Sequence, residues 1–386
     1  MKSVSARHVT IVCALATLAE ALFFSAIAPL LPALDHELGL GHITAGVLVA
    51  TYGIGYALGT YPALRLASSV GPRVTAVIGM LCIAAGTLSF ALSSNIVGLF
   101  AGRMLAGFGS VAFYTGAIAL AEACAAADSG GATIGTVYSG TYAGSAVGPL
   151  IGSAAEVLGR SPVFSLLAGA QLATSGLMTL LPSVPAKPES HVREVFGYIR
   201  DGRVRLGLWI TSLPAFGIGI LLVSGSFRID EVGGSSLLIA AAFAGMAVIN
   251  TVSAPPLGRI TDKRGRLGPL CVLMVLAAVT LAILMPLEAR LPVTVLIAIS
   301  GSLITLLGGP GFALIVDAVD LRGGNAAEAT FLMNLFWGPS AALGAILAGI
   351  FHGAVGAWLS FAVLSAVAAS SAGIVYRQIR VLRVRS

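Results

Sequence analysis

Apolar positions along this chain come in runs of about twenty or more residues, not in alternation with polar ones. A bilayer core about 30 Å thick needs roughly 20 apolar residues per helix. Runs of that length, broken by Gly, Pro or charge clusters, predict twelve transmembrane helices at 8–34, 43–66, 73–93, 97–123, 133–157, 162–182, 204–227, 235–259, 267–287, 292–318, 326–351 and 353–377. The period-2 pattern of a barrel strand is absent, so an all-α membrane protein is expected. The first run follows Lys2 and Arg7 as a signal peptide would, but its apolar stretch is too long and Pro29 follows Ala28 directly. It reads as a retained helix.

The polar segments between the runs give orientation. Of the 22 Lys and Arg, 18 fall on one set of alternating segments, while the other set holds Arg160, Arg228 and Arg290, and Arg103 lies within a run. The bias keeps its sign along the chain, which predicts cytoplasmic termini, and the short loops with no N-x-[ST] in the outer ones fit a prokaryotic plasma membrane. The formal charge of +6 is thereby accounted for as topology, and no nucleic-acid partner is expected. The longest polar break, 183–203, carries Pro185, Pro188 and four of the Lys and Arg. It reads as a cytoplasmic linker between two six-helix bundles, 1–182 and 204–386. Recurrent motifs support two repeats: Gly148-Pro149 is echoed by Gly338-Pro339, and Ser68-Ser69-Val70-Gly71-Pro72-Arg73 by Asp262-Lys263-Arg264-Gly265-Arg266. Two parallel repeats of this kind build one class of secondary transporter.

Composition narrows the chemistry. Only 10% of residues are charged and 57% are apolar, with a mean hydropathy of +0.97, too little charge to cover a soluble surface. A cytosolic globular enzyme is excluded. None of the three Lys follows a Gly, so a phosphate-binding GxxxxGK[ST] loop is absent and any pumping must draw on an ion gradient. Cys13, Cys82, Cys124 and Cys271 stand singly in apolar runs and are expected to be small, buried and inert. Neither HExxH nor GxSxG occurs, and His8, His36, His42, His191 and His352 all sit at ends or in loops, so no enzyme is expected. Asp35, His36, Glu37 and His42 crowd the first outer loop, but without a second ligand cluster they are read as solvation, and neither metal nor cofactor is expected.

Several motifs resemble those of the major facilitator superfamily, across essentially the whole chain. Gly258-Arg259-Ile260-Thr261-Asp262-Lys263-Arg264-Gly265-Arg266 is similar to its G-x3-D-[RK]-x-G-R loop signature. Gly135-x8-Gly144-x3-Gly148-Pro149-x2-Gly152 resembles the fifth-helix motif of the proton-coupled drug antiporters, with Ser153 where a second Gly would stand. Arg103-x3-Gly107 resembles the fourth-helix arginine motif, and Pro29-x2-Pro32 the first-helix signature of the same antiporters. Glu20, nine residues before Pro29, matches the first-helix acid of vesicular monoamine transporters. The resemblance implies the major facilitator fold, the twelve-helix drug/proton antiporter branch, a gating role for the loop at Gly258, Asp262, Arg264, Gly265 and Arg266, and a central cavity lined by spans one and four. The first-half loop has Ser68 where the family has Asp, which implies that the two halves contribute unequally to closing the inner side.

The residues themselves suggest where chemistry sits. Gly140, Gly144, Gly148 and Gly152 recur every four positions and so line one helix stripe, with Pro149 adding a bend. That stripe is tight packing, or, on the resemblance, a rocking seam. Glu20 and Arg103 lie deep within their spans at nearly the same depth. An ionisable group there is costly unless paired or hydrated, and functional by default. Burial disfavours the charged carboxylate and a guanidinium favours it, so Glu20 can exchange a proton or bind a cation. A static Glu20–Arg103 pair that fixes packing is the alternative. Glu122, Glu156 and Asp317 fall near helix ends and read as solvated caps. Glu328 in the first turn of span eleven reads as a cap, with a second coupling site as the alternative because its spacing before Gly338-Pro339 resembles the monoamine transporters' eleventh-helix acid. Arg103, Ser110 and Tyr114 share one face of span four, and Tyr138, Tyr142 and Ser145 one face of span five. Asn250, and Asn334 with Phe331 and Trp337, supply the second half as cavity candidates.

The function expected is export of small, lipophilic or cationic molecules by proton antiport, with protons, the substrate and the lipid bilayer as partners and a monomer as the working unit. An exporter of sugars or other small metabolites on the same fold is the competing reading, and a non-transporting membrane sensor a more distant one.

Overall fold

A computed structural model describes residues 6–125, 130–186 and 192–385, and among them every long element is a helix, with no strand. Lys2, Lys187 and His191 lie outside the described residues. The helices coincide with the predicted spans: α1 (Ala6–Leu38), α2 (Gly41–Val70), α3 (Pro72–Leu92), α4 (Ile96–Cys124), α5 (Gly130–Leu158), α6 (Arg160–Thr179), α7 (Gly202–Glu231), α8 (Ser236–Arg264), α9 (Leu267–Leu284), α10 (Arg290–Asp320), α11 (Ala326–Val355) and α12 (Ala357–Arg385). Ten of them are apolar enough to cross a membrane on length and composition. The exceptions, α5 and α6, have spanning length but are diluted by Gly, Ser and Thr, and α6 carries Gln171.

Prolines account for the interruptions. Pro29 has no N–H to offer the Ser25 carbonyl, and α1 breaks at Ala26 into Ala6–Ser25 and Ile27–Leu38. Pro310 does the same to Leu306, where α10 divides into Arg290–Thr305 and Gly308–Asp320. Within α7 the buried segment Leu221–Gly225 forms a π turn, a local widening of the helix of the kind that concentrates at functional sites. Side chains secure several starts. Asn95 accepts from the Gly98 N–H at α4, Asp201 from Arg203 at α7, and Asn325 from Ala327 and Glu328 at α11.

The chain divides into two compact units, 1–33 with 51–190, and 34–50 with 191–386. The boundary between 190 and 191 falls inside the segment 183–203 expected as a linker. The second unit also takes in the end of α1 and the first ten residues of α2. Within the first unit α1 packs on α5, α3 on α4 and α3 on α6, and within the second α7 packs on α11, α9 on α10 and α9 on α12. The pairing repeats at an offset of six helices. Glycines set the closest approaches. A Cβ at Gly140, Gly144, Gly148 or Gly152 would strike, in turn, the backbone oxygens of Ala14, Leu18, Leu22 and Ala26, so α1 and α5 run parallel in a register of four residues on each. Two hydroxyls cross the same seam, Thr17 to the Val137 carbonyl at 2.7 Å and Ser25 to that of Gly144 at 3.3 Å. Gly135, the first residue of the motif, has open space around it and takes no part.

The four cysteines are free, but only Cys13 is fully buried; Cys82, Cys124 and Cys271 are half-buried on helix flanks.

Candidate functional site

The first unit holds two charged side chains in its interior, Glu20 at 4% exposure and Arg103 at 1%. Glu20 projects from α1 into a ring of hydroxyls. Tyr52 of α2 donates a short hydrogen bond to Oε1, Ser110 of α4 donates to the same oxygen at 2.9 Å, and Tyr114 of α4 donates to Oε2 at 2.9 Å. Tyr114 also meets the Thr141 hydroxyl of α5 at 2.8 Å, and its ring stacks on Tyr138 at 6.1 Å. The carboxylate is therefore held from two helices, α2 and α4, with a third, α5, behind them.

Local sequence explains the convergence. Arg103, Ser110 and Tyr114 fall on one face of α4 by helical spacing, as predicted. Gly107, within the same stretch, lets the Tyr52 backbone approach so closely that a Cβ there would strike its carbonyl. The Arg103-x3-Gly107 motif thus seats α2 against α4 and delivers Tyr52 to Glu20.

Arg103 forms no ion pair with Glu20. Its guanidinium lies over the rings of Tyr52 and Phe23, 5.1 and 5.3 Å from their centroids, and its Nε and Nη2 are buried without a hydrogen-bond partner. Tyr52 stands between the two charges, its hydroxyl on the acid and its ring against the cation. A desolvated cation over an aromatic face gains about 2 kcal/mol, less than a buried hydrogen-bonded ion pair would offer, so the guanidinium is left with unspent donors.

The chemistry of the ring follows from its donors. A hydroxyl both donates and accepts. When Glu20 is ionised, three hydroxyls point at it; when it is protonated, its O–H can donate to one of them, which rotates to accept. Both protonation states are satisfied without exposing the group to water. Carboxamide or hydrocarbon at position 20 would lack that symmetry.

Other predicted residues are placed differently. Tyr142 is 41% exposed and contributes nothing to the carboxylate. In the second unit the Asn250 amide donates to Thr305 across α8 and α10 at 2.7 Å, Asn334 is buried on α11, and Phe331 meets Phe196 of a short linker helix (Val192–Gly197) edge-on at 6.4 Å. Glu328 closes a capping box: Oε2 accepts from the Asn325 N–H at 3.1 Å and from the Tyr198 hydroxyl at 3.2 Å. That matches the capping reading of Glu328, at the first turn of α11. The expected loop motif is mostly helical, Gly258–Arg264 completing α8 before Gly265 turns the chain at φ 81°, and Asp317, expected as a solvated cap, instead pairs with Arg266 at 2.6 Å. The Asp35, His36, Glu37, His42 cluster does not gather: His36 reaches Asp230 at 3.8 Å, and His42 stacks on His352.

Sequence reasoning missed Tyr52 and Thr141. Tyr52 carried a signal, since it opens a Tyr52-x3-Tyr56 stripe well inside a span. Thr141 carried none, because a lone Thr in a Gly-rich helix is indistinguishable from a backbone-bonded one.

A long-helix membrane protein whose helix pairing repeats after six, with a buried carboxylate inside one repeat, has the architecture of a polytopic carrier. Residues 13–345 match the Major Facilitator Superfamily. The chain belongs to that family. Its curated relatives include the multidrug resistance protein MdtG of Citrobacter koseri, 28% identical over 289 residues (69% of this chain and 68% of the relative). MdtG of Serratia proteamaculans is 30% identical over 175 residues, which cover 40% of each chain. Among solved structures the fold is shared with a D-xylose–proton symporter (TM-score 0.76, 14% identity, 96% of this chain and 97% of the other). A POT family transporter in complex with 5-aminolevulinic acid is comparable (TM-score 0.75, 15% identity, 96% and 95%).

Proposed function

We propose that this chain is a secondary active transporter that exports small lipophilic or cationic molecules in exchange for protons, with Glu20 as the proton-carrying group. The single observation that carries this reading is the buried Glu20 carboxylate, ringed by the hydroxyls of Tyr52, Ser110 and Tyr114 and flanked by an unpaired guanidinium. A carboxyl that is satisfied in both protonation states is suited to loading and unloading a proton within a closed protein. Its ionised form attracts a cation and its protonated form releases one, which is the competition that antiport requires. The name of the MdtG relatives, multidrug resistance protein, supports drugs as the substrate class.

In this reading residues 1–182 and 204–386 rock about the linker in alternating access, as a monomer in a prokaryotic inner membrane with both termini in the cytoplasm. Arg103 supplies the counter-charge that keeps an ionised Glu20 tolerable. The Gly258–Arg266 loop contributes to closing the inner side.

The test is transport into proteoliposomes under an imposed pH gradient, with a panel of cationic and neutral lipophilic compounds. Gradient-driven movement of the cations is expected, and Glu20→Gln should end it while the protein remains inserted. Undiminished proton coupling in Glu20→Gln would remove the residue from the mechanism and the reading with it.

A further inference from the structure

The second unit has a titratable cluster that the transport reading does not use. α2 and α11 cross at Gly46 and Gly349, so closely that a Cβ on Gly46 would strike the Ala345 carbonyl and one on Gly349 the carbonyl of His42. About one helical turn beyond that crossing on each helix stands a histidine. Their rings, His42 and His352, stack at 4.4 Å between centroids with 17° between planes. Glu231, the last residue of α7, brings its Oε1 to 2.6 Å from His352 Nε2. One ligand atom from each of the three lies within 4.8 Å of the others.

We infer that His42, Glu231 and His352 form a binding site for a divalent transition-metal ion of the zinc class. The donor set of two imidazoles and one carboxylate is the one such ions prefer, with a fourth position left for water. It is wrong for magnesium or calcium, which want oxygen ligands throughout. Two further features favour an ion over a simple polar contact. The His352 side chain is only 1% exposed and its Nδ1 is buried with no hydrogen-bond partner, so its ring chemistry is not completed by the protein alone. Arg228 reaches Glu231 Oε2 at 3.3 Å, which leaves Oε1 directed at the histidines.

The geometry needs one adjustment. Tetrahedral bonds of 2.0–2.2 Å put ligand atoms roughly 3.3 Å apart, and an ion must lie in the plane of each imidazole it binds. Near-parallel rings cannot both meet that condition. The half-buried His42 ring, at the second position of its helix, would have to turn away from both His352 and Phe227, which lies 4.6 Å from it, while His352 keeps its place against Glu231. The ion would then join the ends of α2, α7 and α11, three segments far apart in sequence.

The test is calorimetric titration of the purified full chain with Zn2+, with Co2+ absorption as a check on coordination number and Mg2+ as a control. One Zn2+ per chain is expected, with four-coordinate Co2+ spectra and no Mg2+ uptake. Affinity should fall about 100-fold or more in His42→Ala and in Glu231→Gln, since even partners outside the ligand shell cost 10–100-fold when removed. Both residues sit at helix ends, so these variants fold even if His352→Ala does not. His36→Ala, at a 77% exposed side chain paired with Asp230, should bind as the wild type does. No Zn2+ uptake by the wild-type chain, or equal affinity in His42→Ala and Glu231→Gln, would overturn the site. So would a loss in His36→Ala as large as theirs. None of these outcomes bears on Glu20, so this proposal and the transport reading fail independently.

Discussion

The two units share a helix-pairing skeleton and differ in what they bury. The first has Glu20 and Arg103 in its interior; the second has neutral contacts there, such as Ser224 to Ser360 at 2.7 Å across α7 and α12 and Asn250 to Thr305. The charges of the second unit gather at helix ends, in Arg266–Asp317, Arg322–Asp201 and Glu231–His352. The corresponding loops show the same division. Gly71 and Gly265 both turn the chain with positive φ, but Arg73 then reaches the carbonyls of Thr179 and Leu181, whereas Arg266 finds the carboxylate of Asp317. Ser68, standing where Asp262 stands in the second loop, fits this pattern. A duplicated scaffold has become one unit that buries charge and one that pairs charge at its rims.

If the scaffold is common, breaking it should be equally damaging on either side. Gly148→Leu drives a side chain into α1, and Gly344→Leu drives one into the Phe216 carbonyl of α7. Overfilling a packed contact costs about 1–3 kcal/mol, and here the obstacle is backbone that cannot rotate away. Both variants should lose transport and melt at lower temperature, whereas Gly135→Ala, with open space around it, should behave as the wild type or gain the ~0.5–1 kcal/mol that Ala holds over Gly in a helix. Thermal unfolding of the three in detergent decides it. A tolerated Gly344→Leu would mean that only α1 and α5 form a tight seam.

The next largest effect should be confined to the first unit. Tyr52→Phe and Ser110→Ala each remove one donor from the Glu20 carboxylate with little change of volume. A hydrogen bond to a charged group contributes about 1.5–3 kcal/mol, so proton-driven transport should drop at least tenfold in each. The comparable change in the second unit, Ser224→Ala, should leave coupling intact. Equal losses in all three would show that hydroxyls matter for packing alone, and the contrast between the units would disappear.

What was legible in the sequence follows the range of the interactions. Spans, the Arg103–Ser110–Tyr114 face and the depth of Glu20 are periodic or local properties, and each has its counterpart in the fold. Asn325-x-x-Glu328 is a capping-box signature that can be read without a structure, and it gave Glu328 its cap. Tyr52, Thr141 and the Arg266–Asp317 pair depend on which helices adjoin, and the sequence holds that only in glycines such as Gly107 whose contacts lie on another helix. The histidines were read one loop at a time, which is why His42 was grouped with its neighbours at 35–37 and not with His352. Chain proximity was the wrong guide where two glycines bring distant backbones together.

The smallest expected effect concerns the rim of the second unit. Asp201 accepts from the Arg203 N–H at 2.6 Å and pairs with Arg322 at 2.8 Å; that backbone bond, helped by the guanidinium, holds its carboxyl below the ordinary 3.8. A carboxyl depressed in the folded state contributes stability that is present above its unfolded value and lost as pH falls through the lower folded one. Removing the cap costs about 1 kcal/mol, and the half-exposed ion pair adds at most ~1 kcal/mol in water. Asp201→Ala should therefore unfold at a slightly lower temperature than the wild type at neutral pH, and the gap should close only below pH 3.8. The pH profile of transport near neutrality should not move, because a carboxyl held below 3.8 stays ionised throughout that range. A displaced neutral-range profile in Asp201→Ala would place proton chemistry in the second unit as well and dissolve the division of labour between the two.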